Sequence, residues 1–499
     1  MNKIVIWTTI GVYALIMVII GVTQGKKVKS IADLTVGGRN AGAWLSALSY
    51  GTAYFSAVMF VGYAGGTGKA YGLWGVLAGI GNAVFGSWLA WKMLARRTRD
   101  VAFRLKIKTM PQYLEKRYFD ENMKLFACIV IFIFMIPYSA SVYKGLASIA
   151  DVLLGIDVKI CMILIAVIAI LLLLFGGYLV QARADFFQGI VMMFGVTLLI
   201  ICVVRCQKVG GISGVIEYAK TVEGLPKLNA SQWISLWATV LMTSFGTWGL
   251  PQMIQKYFGI KDDKQAKKGV IISTFFAFLV AGGGYFIGSL CYKFFTPETL
   301  PPQDYIVPNM LKEAGLPSIL MGVVLMLLIA ASVSTLCSIT LTASSTFTID
   351  FIGHFKKNMP VKKTSLIIKA LCIVFVIGSY VIANTDTPIL DMMSYSWGII
   401  SGSFLAPYVL ALFSKKMNSK GAWAGILCGF FTAIIPAAAR IMTYFTENAD
   451  VAKLANLGAV FAVAAMIISL IVCTVVSRLT KSDDEEKTEF FYSGDVRNA

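Results

Sequence analysis

The sequence predicts an all-α protein that crosses a membrane many times. Three observations point that way. Hydrophobic residues make up 57% of the 499-residue chain and charged residues only 14%, against about 45–50% and about 25% in soluble domains. Mean hydropathy is +0.75. The apolar residues fall into runs of about twenty, the length a helix needs to cross a hydrocarbon core. Such a chain is neither a typical cytosolic enzyme nor a secreted disulfide scaffold.

In chain order the runs cover residues 4–22, 43–64, 73–94, 125–150, 160–175, 186–204, 233–254, 270–291, 319–345, 366–382, 389–413, 422–439 and 457–476. Each predicts a spanning helix, thirteen in all. The first is too long for a signal-peptide core and no A-x-A cleavage pattern follows it, so it reads as a helix. Lysines and arginines gather in alternate connections: Lys26, Lys27 and Lys29; Arg96 through Arg117; Arg183; Lys256 through Lys268; Lys356 through Lys363; Lys415, Lys416 and Lys420; Arg478 and Lys481. The other connections are poorer in basic residues, and several carry acids (Asp304, Asp386, Glu447, Asp450). Basic loops stay cytoplasmic. An odd number of spans then places the N-terminus outside the plasma (inner) membrane and the C-terminus in the cytoplasm. Residues 1–480 form a single transmembrane domain, and 481–499 a polar, disordered cytoplasmic tail with no assigned function.

The net charge of +18 is spread in short clusters between apolar runs, so no nucleic-acid partner is expected. The nine cysteines contain no C-x-x-C pair and lie mostly inside apolar runs, which indicates neither a zinc site nor a disulfide framework. The single histidine, His354, falls in a cytoplasmic connection, leaving no H-E-x-x-H site and no Ser-His-Asp triad in the membrane. GGTGKAYG (65–72) fails as a phosphate loop because Ala70 follows Lys69. Enzyme chemistry and an organic cofactor are therefore not expected. A channel filter would need a repeated motif, and the tail has no room for a receptor's effector domain.

Two runs are interrupted. In SYGTAYFSAVMFVGYAGG, Gly51, Thr52, Tyr54 and Ser56 break the apolar pattern of the second run; in MTSFGTWGLPQ, Gly246, Gly249 and Pro251 crowd the seventh. Glycine permits non-helical torsions and proline removes a backbone donor. Unwound backbone survives in a membrane only where it is buried or lines a cavity. Glycine and proline are also frequent in ordinary membrane helices. Two interruptions five spans apart, however, match the pattern of inverted halves whose broken helices surround a central binding site. In the ninth run, Ala331, Ser334, Thr335 and Ser338 share one helical face. Adjacent hydroxyls and freed carbonyls suit a hard cation; a small-residue packing face is the alternative.

Together with VGGRN (36–40), ALSYGTAYFSA (47–57), FGGYLVQARADFFQG (175–189), GLPQMIQKYF (249–258), AASVSTLCS (330–338) and SYSWG (394–398), these features resemble the sodium/solute symporter family over nearly the whole chain. The resemblance implies a LeuT-like core of two inverted five-helix repeats, here about 43–204 and 233–413. It implies Na+ as coupling ion, held by backbone carbonyls of Thr52, Phe55 and Ala331 and by the hydroxyls of Ser334 and Thr335. A second sodium site of some members falls on Asp185, Ser334, Cys337 and Ser338. Here a thiol replaces a hydroxyl, and sulfur is a poor partner for a hard cation. Asp185 has an alternative role as N-cap of the sixth run. Arg39 matches a family arginine near the cytoplasmic end of the second span.

Solute contacts are expected from Tyr54, Ser56, Tyr138, Lys144, Thr243, Thr247, Trp248, Gln252 and Trp397. Tyr138 and Pro251 match the pocket helices of proline-carrying members. Val58 and Thr243, however, stand where those have tryptophans, Thr247 where they have a tyrosine, and Tyr54 where they have an aspartate, so the pocket is rebuilt. Lys144 either pairs with a solute carboxylate or snorkels to the outer surface. The implied function is sodium-coupled import of a small organic solute, an amino acid, carboxylate or similar nutrient, by alternating access. Proton coupling on the same fold and a solute sensor are the alternatives. The expected partners are the solute and the lipid bilayer; the oligomeric state is left open, a monomer being allowed.

Overall fold

The computed structural model describes residues 3–25, 30 and 35–493. Nearly all of these are helical, and the β-bridge found among the described residues pairs Ala41 with Ile260. In order, the helices are α1 (Lys3–Gly25), α2 (Ala43–Tyr54), α3 (57–71), α4 (72–104), α5 (Met110–Tyr118), α6 (Glu121–Leu154), α7 (Val158–Arg205), α8 (Gly211–Tyr218), α9 (Ala230–Gly249) and α10 (Pro251–Phe258). There follow α11 (Asp263–Ser289), α12 (Ile306–Glu313), α13 (Ser318–Phe355), α14 (Val361–Ala383), α15 (Ile389–Phe413), α16 (Ser419–Met442), α17 (Ala449–Ala455), α18 (Gly458–Leu479) and α19 (Glu485–Ser493). All thirteen apolar runs lie on these helices. Among the described residues, ten helices are long and apolar enough to cross a bilayer.

Local chemistry sets many of the ends. The Asp120 carboxylate caps α6 by accepting from the backbone N–H groups of Asn122 and Met123, and α6 stops at Gly155 with φ +66°. Asn229 and Gln232 form a reciprocal capping box at the start of α9. Gly72, at φ +56°, turns the chain between α3 and α4. A Cβ there would lie 2.4 Å from the Glu223 carbonyl oxygen, so no other residue fits.

The buried centre is formed by α2, α6, α7, α9, α13 and α15. Almost every side chain of α13 from Ala330 to Thr346 is buried. Glycines let helices approach closely: a Cβ on Gly429 of α16 would sit 2.0 Å from the Gly402 carbonyl oxygen of α15. Large apolar side chains face outward on the periphery, among them Leu15, Val374, Val381, Phe431 and Ile471. That surface is suited to lipid.

Three expectations are corrected. The loop expected between the fifth and sixth runs, carrying Arg183, is helical, because QARAD (181–185) contains good helix formers and no breaker. Asp185 is therefore inside α7 and is no N-cap. Lys256, read as a cytoplasmic loop charge, is 1% exposed inside α10. In the tail expected to be disordered, residues Glu485–Ser493 form α19, whose Phe491 is buried against Tyr113. Lys26, Lys27 and Lys29 lie outside the described residues.

Most of the remaining basic connections meet at one end of the bundle. Arg39 donates to the Phe103 and Ile107 carbonyls, Arg96 pairs with Asp263 at 2.6 Å, and Arg99 donates to the Lys261 carbonyl. Arg117 is buried and donates to the Met417 carbonyl at 2.9 Å. The tail joins the same end through Lys415–Glu489 and through the Phe491 carbonyl, which accepts from Arg104.

Candidate functional site

The two expected interruptions are real, each within a residue or two of the predicted place. The first lies at Phe55 and Ser56, between α2 and α3. Gly51 and Thr52 remain helical. Across the gap, the Ser56 hydroxyl accepts from Val58 N–H at 3.2 Å and the Ser332 hydroxyl from Ala57 N–H at 3.4 Å, so side chains cap the restarted helix. The second break is the extended residue Leu250; Pro251 then occupies the first turn of α10, where its missing N–H costs nothing. The carbonyl freed at Gly246 accepts from the Ser401 hydroxyl.

The first break frees the Thr52 carbonyl, and α13 meets it there. The Thr335 hydroxyl lies 3.0 Å from the Thr52 oxygen and 3.0 Å from the Ala331 oxygen, bridging the broken helix to α13. Three of the five expected sodium ligands are thus in direct contact. Phe55 stands in the gap itself, and Ser334 is adjacent to Thr335 in the chain. Oxygen donors from two helices, buried and free of thiol or imidazole, fit a hard monovalent cation.

Ser334 faces Asp185. Its hydroxyl donates to one carboxylate oxygen at 2.6 Å, while the other accepts from Ser49 at 2.5 Å and from the Lys256 ammonium at 3.0 Å. Lys256 also donates to the Ser49 hydroxyl at 2.8 Å and lies 5.0 Å from the centre of the Tyr178 ring. Both charges are buried, Asp185 at 0% and Lys256 at 1% exposure. Ser338 takes no part in these hydrogen bonds. Ser49 and Lys256 were missed in the sequence. The signal was present: an isolated acid within a membrane helix needs a cation partner, and Ser49 is one turn before Thr52.

The expected solute residues divide. Tyr54 stacks on Phe55 with ring centroids 4.0 Å apart, and lies 6.2 Å from Trp397, whose ring meets Tyr138 edge-on at 5.4 Å. These side chains border the first break. The Tyr54 hydroxyl donates to the Thr243 carbonyl at 2.5 Å, joining α2 to α9. Gln252 is buried with neither amide atom hydrogen-bonded. Thr243 and Thr247 instead donate back to their own helix, to Thr239 and Ser244, and Trp248 donates to the Phe85 carbonyl. Ser56 serves as the cap described above. Lys144 is held by the Thr385 and Thr387 carbonyls at 3.0 and 2.9 Å in the connection before α15. Its long stem carries the ammonium to those loop carbonyls.

The sequence profile of the Sodium:solute symporter family matches residues 35–429. The chain belongs to that family. It is a sodium-coupled solute symporter, not an enzyme. Similar proteins include the osmoregulated proline transporter OpuE of Bacillus subtilis, 26% identical over 95% of this chain and 94% of that one. The sodium/proline symporter of Staphylococcus aureus is 27% identical over 95% and 93%. The structure of a Na+-coupled sialic acid symporter, 21% identical, superimposes with a TM-score of 0.77 over 96% of this chain and 99% of that one. That likeness extends the LeuT-like fold to the whole symporter.

Proposed function

We propose that the symporter imports a small zwitterionic or neutral solute by alternating access, driven by Na+ bound where α2 breaks beside α13. The observation that carries this reading is the Thr335 hydroxyl, set between the Thr52 and Ala331 carbonyls. A sodium ion would replace that hydroxyl proton as the link among the oxygens and draw in the Phe55 carbonyl and the Ser334 hydroxyl. Ser334 donates its hydroxyl hydrogen bond to Asp185, which leaves the oxygen's lone pairs for the ion. Binding would fix the backbone at residues 52–56, and with it the Tyr54, Tyr138 and Trp397 rings beside the solute.

Gln252 supplies the polar contact. A buried amide with both atoms unpaired is costly unless a ligand satisfies it, and an amide offers one acceptor and two donors to a carboxylate, ammonium or hydroxyl group. With Lys144 engaged at the loop and Lys256 paired with Asp185, neither ammonium is left for a solute carboxylate, which favours a zwitterion over an anion. Proline transporters among the relatives agree with such a solute, although Val58, Thr243 and Thr247 make a different wall. No organic cofactor is needed. The N-terminus lies outside and the end bearing Arg39, Arg99 and Arg117 in the cytoplasm.

One sodium ion crossing ~100 mV supplies about 2.3 kcal/mol, and a tenfold gradient about 1.4 kcal/mol more. That sustains accumulation of an uncharged or zwitterionic solute by several hundred-fold. The test is a solute panel on purified protein, scored by thermal stabilisation in NaCl and in KCl. A zwitterion that stabilises only in sodium is expected; a solute that stabilises equally in both salts would reject sodium-dependent binding.

A further inference from the structure

The group around Asp185 has the makings of a cation site, yet it already contains a cation. The carboxylate lies at the meeting point of four helices, with Ser49 from α2, Lys256 from α10 and Ser334 from α13 as its three donors. The ammonium is caged in turn: two of its hydrogens go to Asp185 and Ser49, and the Tyr178 ring covers it at 5.0 Å. Asp185 is 0% and Lys256 1% exposed, and the cavity that Asp185 lines with Ser334 and Cys337 holds only about 20 Å³. A metal ion placed beside Asp185 would share its oxygens with that ammonium, and two like charges at such range in a dry interior repel strongly.

We propose that Lys256 is a tethered cation that fills the position beside Asp185, so that the symporter binds a single sodium ion, at Thr52, Ser334 and Thr335, and none at Asp185. This rests on the sodium site of the preceding section and sets its stoichiometry. The ammonium is on α10, beyond the second break, whereas Ser49 is on α2, before the first. The same contact therefore joins the two broken helices one turn from the sodium ligands, and it does so without an ion that has to enter or leave. The Asp185 carboxylate also holds the Ser334 hydroxyl proton turned toward itself, keeping the lone pairs of that oxygen available for the ion. A single positive charge per cycle fits a zwitterionic solute; a one-to-one anionic solute would make transport electrically silent.

The test counts bound ions on the purified full-length protein with 22Na+ at saturation and no solute. Wild type is expected to bind one ion per chain. Lys256→Ala, which removes the ammonium and leaves room beside a now unpaired Asp185, is expected to bind two. The neutral pair Lys256→Met with Asp185→Asn is expected to return to one. Two ions on wild type, or one on a folded Lys256→Ala, would overturn the proposal. If Lys256→Ala proves too unstable to purify, wild type and the neutral pair decide it: one ion on each supports the tethered cation, two on either contradicts it. No ion on wild type would defeat the sodium site itself, an outcome distinct from either of these.

Discussion

Gln252 sits one residue beyond Pro251, where α10 restarts, and its buried amide finds no partner among the described residues. Leaving such atoms unsatisfied costs about 1–3 kcal/mol, so the residue is poorly explained as a packing element. Gln252→Met should raise thermal stability by about 1 kcal/mol while cutting solute affinity at least tenfold, with sodium binding retained. A variant with undiminished solute affinity would remove Gln252 from the pocket. Lys144 makes the opposite case. Its ammonium already satisfies the Thr385 and Thr387 carbonyls, so Lys144→Met should leave saturable uptake and solute KM unchanged. Loss of uptake would return it to the solute site. Asp185 and Lys256 depend on each other: removing one partner of a buried pair costs about 3–5 kcal/mol. Asp185→Asn alone should therefore melt well below the neutral pair Asp185→Asn with Lys256→Met.

At the level of elements, close approach decides what can change. Gly429 brings α16 against α15 with no space for a Cβ. Gly429→Ala should cost about 1–3 kcal/mol through overpacking, measured as a lower melting temperature, while sodium affinity stays near wild type because the site lies on α2 and α13. A wild-type melting temperature would show that the contact gives easily. Both breaks were legible because Gly246, Gly249 and Pro251, or Gly51 and Ser56, cannot sustain an uninterrupted apolar run. The position of each was less so: Gly51 stays helical, and the gap opens at Phe55, where Ser56 and Ser332 cap the restart. The union of the fifth and sixth runs in α7 was hidden by QARAD, whose polarity resembles a loop and whose propensity is helical. Lys256 was misplaced because a charge near a span boundary reads as a loop charge; only the fold brings Asp185, 71 residues away in sequence, to within 3.0 Å of it. Helix α19 was overlooked because it has few apolar residues, of which Phe491 and Tyr492 anchor it on distant helices.

Across the whole molecule, one end gathers Arg39, Arg99, Arg117 and the tail, and the centre holds two broken helices joined by Asp185 and Lys256. The tail closes on that end through Tyr492, which donates to the Ala411 carbonyl at 2.5 Å, and through Arg117, whose guanidinium lies 5.7 Å from the Phe491 ring centre. Phe491→Ala should free α19 and make the segment after Thr480 sensitive to limited proteolysis, whereas a tail that remains protected would show that the polar contacts suffice. Alternating access requires that sodium order the gap at Phe55 and Ser56 before the solute is held, and that the solute in turn tighten sodium. The most direct measurement of this account is the sodium concentration that half-saturates thermal stabilisation in wild type and in Ser334→Ala with Thr335→Ala. The hydroxyl ligands predict at least a tenfold rise, about 1.4 kcal/mol or more, with the melting temperature in KCl little changed. A sodium dependence identical to wild type in the folded double variant would contradict it.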